Sequence, residues 1–100
     1  MEQQVQTKGR GGERRDLTKT QARLEKQVVR AETEISEAEE KIKAREAELA
    51  DPQLYEQFDR WNLLHHEQAE WKGELARLTT RWESLSAELE NVKQQLVSMG

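Results

Sequence analysis

Apolar side chains recur along this chain in alternating steps of four and three, the spacing of a coiled-coil seam. The first run is Leu17, Gln21, Leu24, Val28, Ala31, Ile35, Ala38, Ile42, Arg45 and Leu49. With Val28 at position a, row a reads Gln21, Val28, Ile35, Ile42 and Leu49. Row d reads Leu17, Leu24, Ala31, Ala38 and Arg45. The run stops at Asp51-Pro52, where proline cannot continue a helix but suits the first position of a new one, with Asp51 as its N-cap. A second run follows: Trp61, Leu64, Gln68, Trp71, Leu75, Leu78, Trp82, Leu85, Leu89, Val92, Leu96 and Met99. Only Gln68 in it is polar.

So short a connection makes the two helices pair antiparallel when they pair within one chain. The pattern predicts an all-α fold: a two-helix antiparallel coiled-coil hairpin over residues 15–100, a rod with a flexible N-terminal tail or linker over residues 1–14. Helix 1 is expected over about 15–50, the turn at 51–53, and helix 2 over about 53–98. Folding about residue 53 sets Ile35 opposite Trp71, Ala38 opposite Gln68 and Arg45 opposite Trp61. Trp71 then lies between the small Ala31 and Ala38, and Arg45 with Trp61 forms a cation–π pair. In that register Val92, Leu96 and Met99 lack apolar partners and are candidates for fraying or weak self-association of an otherwise monomeric hairpin.

Composition agrees: 36% of the 100 residues are charged and 34% hydrophobic, too apolar-poor for a large round core. There is no cysteine, which removes disulfides and thiolate chemistry and fits a reducing compartment. No apolar run approaches a membrane span and no signal-peptide pattern opens the chain, so a cytoplasmic location without membrane contact is expected.

The net charge of −4 conceals an asymmetry. Residues 8–30 hold eight bases against three acids, and residues 31–59 three bases against ten acids. Arg14, Arg15, Lys19, Arg23, Lys26 and Arg30 recur every few residues, so several share one side of a helix and can follow a phosphate backbone. The competing reading is a solvated coiled-coil flank.

Other motifs carry less. Gly9-Arg10-Gly11-Gly12 lacks the Lys-Ser/Thr and strand of a phosphate loop. His65 and His66 point about 100° apart and have no i+4 ligand partner, so no metal or cofactor is expected. The three tryptophans fall on the seam, as core rather than base-stacking platforms. The acid pairs have no water-excluding site, and no catalytic constellation is present.

Leu49-Ala50-Asp51-Pro52, then Leu54-Tyr55, followed by Arg81-Trp82-Glu83 and Leu85, resembles the C-terminal coiled-coil domain of ABC-F ATPases, the Uup-like group. The likeness covers roughly residues 14–92. It implies an excised tail domain of a protein with two ATP-binding cassettes that works on the ribosome, the hairpin binding DNA or ribosomal RNA. This chain has no Walker A, Walker B or signature motif, so ATP hydrolysis is not carried over to it. Its second helix is not basic, with Arg60, Lys72, Arg77, Arg81 and Lys93 against six acids. Any nucleic acid is therefore expected at Arg14 to Arg30. The alternative is a structural or protein-interaction spacer without nucleic-acid binding.

Overall fold

The computed structural model describes the backbone of residues 2–99 and the side chains of residues 12–99. The elements are α1 (Glu2–Leu49), a 3-10 helix η1 (Pro52–Glu56) and α2 (Phe58–Met99). The fold is an all-α helical hairpin. Every residue assigned to the two seams is buried or half-buried, from Leu17 to Met99, including Gln21, Arg45 and Gln68. The residues form two compact units, Ala31–Trp82, and Met1–Arg30 with Glu83–Gly100.

The unit of residues 31–82 contains the turn. Pro52 has no N–H to give, and the Asp51 carboxylate accepts from the Gln53 N–H at 3.0 Å, which starts η1. Leu54 N–H donates to the Asp51 carbonyl (3.0 Å) and Gln57 N–H to the Leu54 carbonyl (2.9 Å). Gln57 leaves helical geometry at φ −110°, ψ 75°. Its carbonyl then accepts from Trp61 N–H at 2.9 Å and opens α2. The connection is therefore longer than a tight turn at 51–53, and α2 starts at Phe58 rather than near 53. Leu54, 8% exposed, turns inward.

That extra length moves the register by one heptad. Lys41 Nζ lies 4.0 Å and the Arg45 guanidinium 4.3 Å from the Trp71 ring centre. These two residues flank Ile42, so Ile42 and not Ile35 is level with Trp71. The cation–π pair expected between Arg45 and Trp61 is made with Trp71 instead. Because the shift equals one repeat, a still meets d and the seam composition is unchanged. The match of small with large also survives in altered form. Ala38 lines one cavity with Trp71 and Leu78, and Ala31, 4% exposed, is by the same register level with Trp82.

In the unit of residues 1–30 and 83–100, Leu24 is 2% and Val92 8% exposed. Glu13 and Leu17 border a cleft with Asn91, Gln94, Gln95, Ser98 and Met99. Leu17 is thus beside residues one heptad beyond Leu89, its expected partner. Val92 is therefore buried rather than left open, and Met99 borders the same cleft as Leu17.

Helix α1 begins at Glu2 rather than near residue 15. Glycine lowers helix propensity by about 1 kcal/mol without forbidding a helix, and Gln, Lys, Arg and Glu around these glycines are good helix formers. A Cβ placed on Gly12 would meet nothing within 4 Å. The side chains of residues 1–11, among them Lys8 and Arg10, lie outside the described residues.

Candidate nucleic-acid interface

Arg14, Arg15, Lys19, Arg23, Lys26 and Arg30 are all exposed on α1. At about 100° per residue, Arg15, Lys19, Arg23, Lys26 and Arg30 fall within an arc of about 80°. They occupy outward heptad positions, on the side of α1 away from Leu17, Gln21, Leu24 and Val28. The stripe is about 22 Å long at roughly 1.5 Å per residue, the length of about six base pairs. Arg14 stands apart: it falls on row a, about 100° from Arg15, and its carbonyl accepts from Thr18 Oγ1 at 2.8 Å. Spacing alone grouped all six; the heptad assignment separates five from one.

These bases contrast with Arg45, whose side chain is 11% exposed. Its Nη1 donates to the Leu64 carbonyl at 3.0 Å. Its Nε pairs with Glu48 at 3.3 Å and Nη1 lies 3.6 Å from Glu67. Arg45 is structural. Among the described residues, no ion pair engages Arg15, Lys19, Arg23 or Lys26.

The remaining candidates resolve as packing or surface. His65 stacks on Trp61 with ring centres 4.8 Å apart at 10°. Exposed His66 lies 3.6 Å from Glu70. Among the described residues no group of three or more His, Cys, Asp and Glu could hold a metal ion. The indole Nε1 atoms of Trp61 and Trp82 are buried without a partner, as is Gln68 Nε2. Indoles with that edge inward serve as seam side chains rather than open stacking platforms.

Residues 13–87 match the family described as ABC transporter C-terminal domain. The chain belongs to that family. As an ABC transporter C-terminal domain it is a small all-helical module and not an ATPase domain. No helix among the described residues is long and apolar enough to cross a membrane. No curated protein and no solved structure matches the chain. The domain's basic stripe is legible in sequence as spacing; Tyr55 is legible only as part of the Asp-Pro-x-Leu-Tyr turn motif, and its exposure together with that of Phe58 is not, because the seam pattern includes neither.

Proposed function

We propose that this ABC transporter C-terminal domain is a non-catalytic accessory module of an ABC-F type protein in the cytoplasm, contacting DNA or ribosomal RNA through the basic face of α1. The observation that carries the reading is the exposed stripe Arg15, Lys19, Arg23, Lys26 and Arg30 on the outward side of the helix. Arg14 adds charge from beside the stripe. The segment 1–14, as the linker from a preceding cassette, would bring this basic face close to the ATPase body. Contacts to phosphate alone carry no sequence information, so binding is sequence-indifferent.

Fluorescence anisotropy with a labelled duplex and a labelled single strand tests the proposal. Five phosphate contacts give a slope of log K against log salt of about −4.5 on duplex and about −3.5 on single strands. On duplex that is about a 500-fold loss between 50 and 200 mM salt. Replacing the five stripe residues by Gln should abolish the slope, and Arg14→Gln alone should change it by at most about one contact. Absence of binding at low salt, or binding indifferent to the five substitutions, would leave the domain as a spacer.

A further inference from the structure

The five aromatic residues divide cleanly. The three tryptophans sit on the seam, half-buried, whereas the single Tyr and the single Phe both stand at the turn, Tyr55 63% and Phe58 70% exposed. Asp51 and Pro52 set the backbone of that turn, and Leu54 supplies its inward anchor. A lone exposed apolar side chain is ordinary. Two exposed aromatics within four residues are carried on a backbone fixed by the bonds from Gln53, Leu54, Gln57 and Trp61, so little backbone ordering is left for a partner to impose.

Charge identifies what can cover it. Residues 46–60 hold five acids, Glu46, Glu48, Asp51, Glu56 and Asp59, against one base, Arg60, which borders a cleft with Glu48 and Asp51. Glu48 is drawn to Arg45 and Glu46 to Lys72 at 4.0 Å. Glu56 adjoins Tyr55, Asp59 adjoins Phe58, and both carboxylates are exposed. Nucleic acid and anionic lipid are repelled by this arrangement, and so is a second copy of the same turn. We propose that residues 52–59 are a docking site for a basic protein surface, Tyr55 and Phe58 entering an apolar cleft while Glu56 and Asp59 pair with Lys or Arg at its rim. Aromatic anchors within a polar, solvent-accessible rim are a recurrent make-up of protein–protein hot spots.

The proposal concerns the turn and is independent of the basic face of α1. The test is photo-crosslinking of the full chain in its native cells, with benzoylphenylalanine in place of Tyr55 and the attachment point mapped by mass spectrometry. The expected product is one protein adduct, attached within a Lys- or Arg-rich surface segment. Its yield should fall at least tenfold in Glu56→Lys/Asp59→Lys and in Phe58→Ser, and should be unchanged when the five stripe residues become Gln. Circular dichroism checks that each variant keeps its helix content, and Glu56→Gln/Asp59→Asn replaces the charge reversal if it does not. No adduct, an adduct to nucleic acid, lipid or a second copy, or a protein adduct insensitive to the acidic pair overturns the proposal.

Discussion

Arg45 is the one base among the seam residues from Leu17 to Met99, and its removal has a calculable cost. Arg45→Ala deletes the bond to the Leu64 carbonyl, the stacking on Trp71 and the pairings with Glu48 and Glu67. A charged donor's hydrogen bond is worth about 1.5–3 kcal/mol, and the cation–π contact about 0.5–2 kcal/mol. The half-exposed carboxylates add only a few tenths of a kcal/mol each. Against these losses stands recovery of the desolvation cost of a guanidinium 11% exposed. The net destabilisation should be about 2 kcal/mol. Arg45→Met keeps the apolar stem and removes the buried charge, so it should stay within about 1 kcal/mol of the parent. Urea unfolding followed by circular dichroism reads both. With a slope of about 2 kcal/mol per M, Arg45→Ala lowers the midpoint by about 1 M. A midpoint shift below about 0.3 M for Arg45→Ala, or equal damage from Arg45→Met, would refute the claim that the polar contacts of Arg45 hold this part of the seam.

Cysteines at positions 42 and 71 should form an intramolecular disulfide readily, and cysteines at 35 and 71, about 10 Å out of step, should not; the reverse result would restore a turn about residue 53. Gly73 lies inside α2, and a Cβ there would meet only the Arg77 side-chain end at 3.7 Å. Gly73→Ala should therefore stabilise by about 0.5–1 kcal/mol in the same unfolding assay. Gln68 is 4% exposed with Nε2 unpartnered, so Gln68→Leu should raise stability by about 1 kcal/mol. Leu24, 2% exposed, should cost about 3 kcal/mol when changed to Ala.

The basic face of α1 is readable from the sequence as a pattern of charge. The basic residues of α1 announce themselves by spacing, since a helix advances about 100° per residue whatever it packs against. What their spacing did not reveal is that Arg14 belongs to row a while the other five face outward. The exposure of Tyr55 and Phe58 escapes the sequence for a different reason. They belong to a turn whose backbone path is set by Asp51, Pro52 and Gln57, and no periodicity tells which side of such a turn faces solvent.

The sequence by itself determined which residues make the seam, that two helices form, and that the break falls at Asp51-Pro52. Burial of every seam position from Leu17 to Met99 agrees with that pattern. The register was decided only in three dimensions. A heptad pattern repeats every seven residues, so pairing Trp71 with Ile35 or with Ile42 buries nearly the same kinds of side chain. The choice falls to the connection: η1 and the non-helical Gln57 occupy the space of a tight turn. They carry Arg45 from Trp61 to Trp71.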